Sequence, residues 1–309
     1  MPIVEKDSWR EQYFTGVPCP ANVVIPTDDT LAWQLYPAHR WIYNKLLICE
    51  SQRLAHAPHD VPPTAYPVFS KPIYNLRGMG TGSCVIRSAA EYERAHTPGH
   101  FWMPLLDGEH VSSDVVVVNG EPQWWRHTVG VAMGEGMFDY WTILAAARPA
   151  IEDRCGAWLR RHLAGYTGCV NLETIGGAII EAHLRFADQW PDLYGTGWVA
   201  AVIELYASGK WIYKDNDRRD GYSVVVFGPH ATVYPRVDAA TLQRVRHAAG
   251  VSSVQITFDP GRPPTAHAMP PGGFRLAVIN AWDLDAGRAA RAQLVEMFAY
   301  DAGDEARTA

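Results

Sequence analysis

The chain has 309 residues, of which 48% are hydrophobic and 19% charged, and this composition is ordinary for a soluble globular enzyme with two or three subdomains. A formal net charge of −6 argues against a nucleic-acid partner, because it leaves no basic surface for phosphates. The five cysteines are widely spaced and form no CxxC pair, which favours a reducing cytoplasm. The N-terminus is charged and lacks the apolar core of a signal peptide, and no apolar run approaches the length of a membrane span. We therefore expect a cytoplasmic protein that does not bind membranes.

The first element in the chain is a short strand predicted over residues 22–25, which Pro26 ends. Residues 27–30, with the sequence TDDT, predict the N-cap of a helix. The predicted helix covers residues 31–52, is rich in aromatic side chains, and is interrupted at Pro37.

A strand predicted over residues 68–72 leads into a glycine-rich loop over residues 74–83. A lysine at the end of that strand provides a point charge, and bare glycine backbone lets N–H groups approach phosphate oxygens. The loop is neither a Walker loop nor a Rossmann fingerprint, so an ordinary surface loop is the alternative interpretation. The residues that we expect to contact phosphates are Lys71, Gly78, Gly80, Gly82 and Ser83.

An apolar strand is predicted over residues 100–106 and ends in a turn. Met103 and Leu105 on this strand suit an adenine slot, and Glu109 in the turn suits the ribose hydroxyls. A plain core strand is the alternative. Further along, the glycine-rich residues 128–142 are expected to form a mobile loop.

Residues 168–186 predict a hairpin whose turn is Gly176-Gly177. By the two-residue period of a strand, one face of this hairpin carries Asn171, Glu173, Glu181, His183 and Arg185. Two carboxylates on paired strands form a hard-oxygen site suited to Mg²⁺, and an arginine beside them suits a phosphate. A solvated hairpin with an acidic face is the alternative.

The remaining residues predict a compact α+β unit that is separable near residue 195. Its predicted strands cover residues 222–227, 253–258 and 274–280, and its predicted helices cover residues 199–206, 238–249 and 285–299. We therefore divide the chain into residues 1–30, 31–194 and 195–309.

The order of these elements resembles that of the ATP-grasp superfamily. Asn171-Leu172-Glu173, followed by Glu181-Ala182-His183-Leu184-Arg185, is similar to the N-V-Q…E-x-N-x-R pattern of its carboxylate–amine ligases. Lys45 on a helix and Lys71 in Ser70-Lys71-Pro72 match its two basic positions. The resemblance covers about residues 22–190. It implies an α+β ATP-grasp fold, in which two α+β subdomains clasp the nucleotide, with a small C-terminal α+β unit.

The resemblance also implies a function: an ATP-dependent ligase that activates a small-molecule carboxylate as an acylphosphate and joins it to an amine or a similar nucleophile. ATP and Mg²⁺ would be its cofactors. In this interpretation Lys45 and Lys71 neutralise phosphates, and Arg185 and Arg126 stabilise the transferring phosphoryl group. The metal ligands that it implies are Glu173, Glu181 and His183. A kinase-like phosphotransferase and a non-catalytic nucleotide-binding scaffold are the alternatives.

The chain departs from the family pattern in three places. His183 stands where the family usually has Asn, and Pro104 occupies a hinge position that often carries an acid. Residues 1–30 replace most of the family's N-terminal α/β domain, so another part of the chain or a second subunit must complete the acid-substrate pocket. Exposed aromatic residues beside this gap would then favour a homodimer. These aromatic residues are Trp33, Tyr36, Trp41 and Tyr43.

Overall fold

Two antiparallel sheets organise the protein, as a computed structural model that describes residues 3, 8–76, 78–230, 232–263, 266–267 and 269–304 shows. The small sheet has the strand order β1-β4-β2-β3, and the large sheet has the order β11-β12-β10-β7-β6-β5-β8-β9. The strands are β1 (Ala57–Pro58), β2 (Val68–Pro72), β3 (Cys84–Ile86), β4 (His100–Pro104), β5 (His110–Val118), β6 (Glu121–Gly134), β7 (Met137–Leu144), β8 (Gly168–Ile175), β9 (Ala178–His183), β10 (Gly221–Gly228), β11 (Val251–Ile256) and β12 (Phe274–Ala281).

The helices are short apart from three. They are α1 (Asp29–Leu35), α2 (Lys45–Ser51), α3 (Ala89–Ala95), α4 (Pro149–His162), α5 (Trp198–Ser208), α6 (Ala239–Arg246) and α7 (Leu284–Asp304), with 3₁₀ turns at Ser8–Tyr13, Arg40–Tyr43 and Pro191–Tyr194. The helix expected over residues 31–52 is divided, because Pro37 ends the run that α1 begins. Asp28 caps α1 as the sequence predicts, since its carboxylate accepts a hydrogen bond from the Leu31 N–H at 2.9 Å.

The small sheet buries different residues on its two sides. Val68 and Ile86 pack with Tyr92 of α3 on one side. On the other side, Phe101 and Met103 of β4 pack with α2 and with Ile180 of β9. The small sheet therefore contacts the edge strand of the large sheet through an apolar cluster.

The large sheet separates two apolar cores, because alternate side chains of its strands point to opposite faces. One core joins the sheet to α2 and α4, and its strand residues are Val115, Val117, Val170, Leu172, Ile179 and Ala182. The other core contains Phe14, Val23 and Ile25 from the first thirty residues, together with Trp190 and Trp198. This segment is therefore part of the core.

Two predictions about strands and loops are wrong. Residues 128–142 belong mostly to the paired strands β6 and β7 and are not a loop. The glycine at position 130 serves close packing there, because a Cβ would lie 2.5 Å from the Phe138 ring. Residues 22–25 do not form a strand, although Val23 and Ile25 are buried.

Strands β10 to β12 extend the large sheet, because β10 pairs with β7. On one face they pack against α6 and α7 around a core of their own, which includes Val224, Val245, Ile279 and Leu294. The C-terminal residues thus have a separate core but share a sheet with the rest, and the division at residue 195 stays a prediction. Among the helices of the described residues, none is both long and apolar enough to cross a membrane.

Candidate active site

The hairpin of β8 and β9 brings the predicted carboxylates together. Glu173 pairs directly with Glu181, and Asn171 pairs with His183, so the four side chains share one face of the sheet. Gly176 and Gly177 form the turn with φ angles of 56° and 82°, which a glycine adopts without strain. The predicted hairpin and its turn are confirmed.

Lys45 is paired with one of these carboxylates. Its Nζ lies 2.9 Å from Glu181 Oε1, and its side chain is 5% exposed. The lysine is the first residue of α2, which Asn44 caps and which is tied to the small sheet by the bond from the Lys45 N–H to the Ile73 carbonyl at 3.0 Å. The small sheet and α2 therefore position the Lys45 ammonium group next to Glu181 of β9.

Lys71 reaches the same strand from β2. Its Nζ donates to the Ile180 carbonyl at 2.8 Å, and its side chain is buried. Burial lowers the pKa of Lys71 below its ordinary value, while the charge of Glu181 opposes that change. Two buried lysines thus contact consecutive residues of β9.

Glu173 is paired with His110, a residue that the sequence analysis did not single out. The His110 Nε2 and the Glu173 Oε2 are 3.2 Å apart. Burial alone would raise the pKa of Glu173, but the hydrogen bond and charge of His110 hold that pKa below its ordinary value. Burial would likewise lower the pKa of His110, and the bond with Glu173 raises it instead.

Asp29 is the second residue that the sequence analysis missed, since it was counted only as part of a helix cap. Its carboxylate accepts from Arg185 Nε at 2.9 Å and Nη2 at 3.1 Å, and it lies 3.0 Å from His183 Nδ1. It also accepts from the Tyr43 hydroxyl at 3.3 Å. Burial opposes the ionised form of Asp29, but the charges of Arg185 and His183 hold its pKa well below the ordinary value.

The glycine-rich loop lies beside the tip of the β6–β7 hairpin. Gly78, Gly80 and Gly82 have φ angles between 63° and 78°, as a tight loop requires, and the Ser83 N–H donates to the Gly80 carbonyl at 3.2 Å. A Cβ on Gly136, at the tip of the β6–β7 hairpin, would lie 3.1 Å from the Met79 carbonyl oxygen. The glycine-rich loop of the small sheet and the β6–β7 hairpin of the large sheet therefore contact each other.

The three residues predicted to contact the adenine and the ribose differ in burial. Met103 is 1% exposed and belongs to the apolar cluster that includes Ile180, whereas Leu105 is 39% exposed. Glu109 lies at the surface, where its carboxylate is 3.3 Å from Arg148 Nη2. These three positions stay predictions as nucleotide contacts.

Arg126 has other partners. Its Nη2 donates to Asp215 Oδ1 and to the Tyr194 carbonyl, both at 3.2 Å, and the side chain is 1% exposed. Arg126 therefore binds the segments that carry Tyr194 and Asp215. These contacts do not support its role in phosphoryl transfer, which stays a prediction.

The donor set fits a divalent cation that also binds phosphate. Within the described part of the chain, no three His, Cys, Asp or Glu side chains converge as a complete metal site. Mg²⁺ in nucleotide enzymes is commonly bound by one or two carboxylates plus phosphate oxygens and water. Glu173 and Glu181, opposite each other on paired strands, provide those two carboxylates.

No protein-family model matches the chain, and no curated protein matches it. Solved structures do. Phosphoribosylamine–glycine ligase from Thermotoga maritima superposes with a TM-score of 0.61 at 14% identity, over 93% of this chain and 85% of that one. N5-carboxyaminoimidazole ribonucleotide synthetase from Thermus thermophilus superposes with a TM-score of 0.56 at 14% identity, over 96% of this chain and 82% of that one. L-amino acid ligase from Bacillus licheniformis superposes with a TM-score of 0.58 at 14% identity, over 83% of this chain and 71% of that one. At such identity, these similarities establish the fold alone.

Proposed function

Because the chain has the ATP-grasp fold, we propose that it is an ATP-dependent ligase. It activates a small-molecule carboxylate as an acylphosphate, joins the acyl group to an amine or a similar nucleophile, and releases ADP and phosphate. The similar proteins named above are ligases and a synthetase, and this supports a reaction that forms a carbon–nitrogen bond.

The observation that carries the proposal is that two buried lysines, from α2 and β2, contact the strand β9 that carries Glu181. Lys45 pairs with Glu181, and Lys71 binds the carbonyl of the preceding residue. With a triphosphate present, Lys45 exchanges the carboxylate for a phosphate oxygen, and this exchange frees Glu181 for the cation. Lys71 meets the phosphate charge from a buried position, where its electrostatic interaction is stronger than in water. A bound Mg²⁺ would polarise the transferring phosphoryl group.

The contact between the glycine-rich loop and the β6–β7 hairpin supports the protection of an acylphosphate from water. The Met79 carbonyl and Gly136 already approach each other closely. Contacts of residues 78–83 with phosphate would hold the loop over the site, and excluding water prevents hydrolysis of the reactive intermediate.

The proposal is tested by measuring ADP release with a panel of carboxylates and amines. ADP should form only when both an acid and a nucleophile are present, and Glu181→Gln should abolish it. Glu50→Gln is the matched control, because Glu50 is an exposed glutamate of α2, the same helix that carries Lys45. ADP release that needs no second substrate, or that survives in Glu181→Gln, would contradict the proposal.

One contact favours a second candidate, a nucleotide-binding protein without ligase activity. Asp29 neutralises Arg185, the arginine that would otherwise stabilise the phosphoryl group or bind an acid. Nucleotide binding without substrate-dependent ADP release would support this candidate. A phosphorylated product trapped in the absence of an amine would instead indicate a kinase-like phosphotransferase.

The homodimer stays a prediction, and the structure gives it less support than the sequence does. The prediction of an exposed aromatic patch is wrong, because Tyr43 is only 5% exposed. The other three residues, Trp33, Tyr36 and Trp41, are partly buried against a core of the same chain. Light scattering at micromolar concentration tests the dimer, and a mass near 34.3 kDa would exclude it.

A further inference from the structure

A group of aromatic rings lies beside Glu173, whose carboxylate oxygen Oε2 is 3.2 Å from Nε2 of His110. The ring centroid of His110 is 6.3 Å from that of Phe138 and 6.1 Å from that of Trp141. The Phe138 and Trp141 centroids are 4.1 Å apart. We call the surface formed by His110, Phe138 and Trp141 the aromatic surface.

Strand register places the aromatic surface on the sheet face that carries the paired carboxylates. Ser112 of β5 pairs with Glu173 on one side and with Thr128 on the other, so these side chains share a face. Gly130 follows Thr128 by two residues and pairs with Trp141, so Trp141 belongs to the same face. The rings therefore extend from Glu173 across β6 to β7.

Gly130 lets two of the rings lie directly on the backbone of β6. A Cβ at this position would be 2.5 Å from the Phe138 ring and 2.9 Å from the Trp141 ring, so a larger residue would displace them. Phe138 is half-buried, and it belongs to none of the apolar clusters that the described residues form. Because the backbone covers one side of its ring, the exposed area lies on the side away from β6.

We propose that the aromatic surface binds the body of the acid substrate, and that this substrate is a carboxylic acid with an aromatic ring. The inference rests on the proposed function, in which the carboxylate that is phosphorylated lies next to Glu173 and Glu181. The rings begin at that point and offer the rest of the molecule an apolar surface. Aromatic rings attract one another in tilted and offset arrangements beyond the effect of the area that they bury.

The position of the rings favours the acid over the adenine base as the molecule that they bind. The ribose and the whole triphosphate separate adenine from the phosphorus atom that is transferred. Rings that begin at Glu173, a carboxylate proposed to bind the cation at the phosphates, therefore lie at the opposite end of the nucleotide from its base. This makes Phe138 and Trp141 specificity-determining residues for the acid.

The test uses hydroxylamine in place of the amine, so that the acid alone is varied. An oxygen of the acid attacks the γ-phosphorus and ADP leaves. The hydroxylamine nitrogen then attacks the acyl carbon, phosphate leaves, and a proton is lost to solvent, which gives a hydroxamate. The probes are phenylacetate and 3-phenylpropionate, compared with succinate and glutarate. We expect kcat/KM to be at least about tenfold higher for the aromatic acids, as contacts in an apolar site typically provide.

Phe138→Leu keeps an apolar side chain over Gly130 but removes the ring. The KM for the aromatic acids should rise by about three- to tenfold, while kcat and the KM for ATP stay unchanged, because the lost contact contributes to binding alone. Phe138→Tyr keeps the ring and should retain the wild-type KM. Phe227→Leu is the matched control, since it makes the same substitution at a half-buried phenylalanine of β10 and should leave every constant unchanged.

Gly130→Ala reaches the same rings from below. Its Cβ displaces Phe138 and Trp141, so it should raise the KM for the aromatic acids as Phe138→Leu does. If Gly130→Ala fails to fold, Phe138→Leu alone decides the result.

A kcat/KM for succinate or glutarate that equals or exceeds that of the aromatic acids overturns the inference. An unchanged KM for the aromatic acids in Phe138→Leu, or a rise in the KM for ATP instead, overturns it as well. Hydroxamate still forms in each of these cases, so the proposed function survives. If no acid of either kind gives hydroxamate, the proposed function is overturned and this inference with it.

Discussion

Replacing Asp29 by alanine should destabilise the protein by about 3–5 kcal/mol, the cost of removing one partner from a buried ion pair. The carboxylate is 3% exposed and accepts bonds from Arg185, His183 and Tyr43. The substitution leaves the guanidinium and the imidazole without their acid. The Arg185 side chain is 18% exposed, so partial solvation should keep the loss within this range.

The neighbouring residue provides the control. Asp28→Ala removes only the cap bond to the Leu31 N–H, and the loss of such a cap costs about 1 kcal/mol. The two variants differ in position by one residue but differ in burial and in charge partners. Urea unfolding at neutral pH measures both. If the free energies of unfolding of the two variants lay within about 1 kcal/mol of each other, the cluster would not stabilise the fold as we argue.

The pH dependence of this difference has a defined sign. The pKa of Asp29 is lowered in the folded protein, so its contribution is complete above the unfolded value of about 3.9 and is lost as the pH falls through the folded-state value. The pKa of His183 is raised, so its contribution is complete below about 6.5 and is lost as the pH rises through its folded-state value. The advantage of the wild type over Asp29→Ala should therefore shrink in strong acid.

Three further outcomes are expected. In calorimetry, Glu181→Ala should lose Mg²⁺-dependent binding of an ATP analogue, because the remaining carboxylate, Glu173, would face the phosphates without full screening by the metal. An affinity equal to that of the wild type would refute this. Lys71→Met should reduce ADP formation by about 10²–10³-fold, typical of a lost electrostatic contact, while circular dichroism stays unchanged; normal turnover would make Lys71 a structural residue. Hydrogen exchange of residues 78–83 should slow when nucleotide is added, since phosphate contacts offset the entropy of ordering glycines, and exchange that does not change would argue against a closing loop.

The sequence predicts the β8–β9 hairpin well because its signals are local. Alternation sets the shared face of Glu173 and Glu181, and the Gly176-Gly177 turn fixes the register. The Asp28 cap is predicted for the same reason, since its carboxylate accepts a hydrogen bond from a backbone N–H three residues ahead. Patterns within a few residues are enough for such features.

The partners of these residues could not be predicted, because they come from distant parts of the chain. Asp29 and His183 are 154 positions apart, and His110 and Glu173 are 63 apart. Asp29 stands in a run that already has a local explanation as a cap, so the sequence does not show that it is buried. The β6–β7 hairpin was missed for a related reason: Gly130 favours a loop in isolation, and only its contact with the Phe138 ring explains a glycine in a strand.

The paired carboxylates make nucleotide and cation dependent on each other. Like charges directly opposite on adjacent strands destabilise a sheet, and Glu173 and Glu181 stand opposite each other. His110 and Lys45 balance them. On the proposed function, a nucleotide alone would draw Lys45 toward phosphate and leave Glu181 beside Glu173 without its cation. A cation alone would have to compete with Lys45 for Glu181 and would lack the phosphate oxygens. Each ligand thus removes the cost that the other would meet, so the two should bind cooperatively.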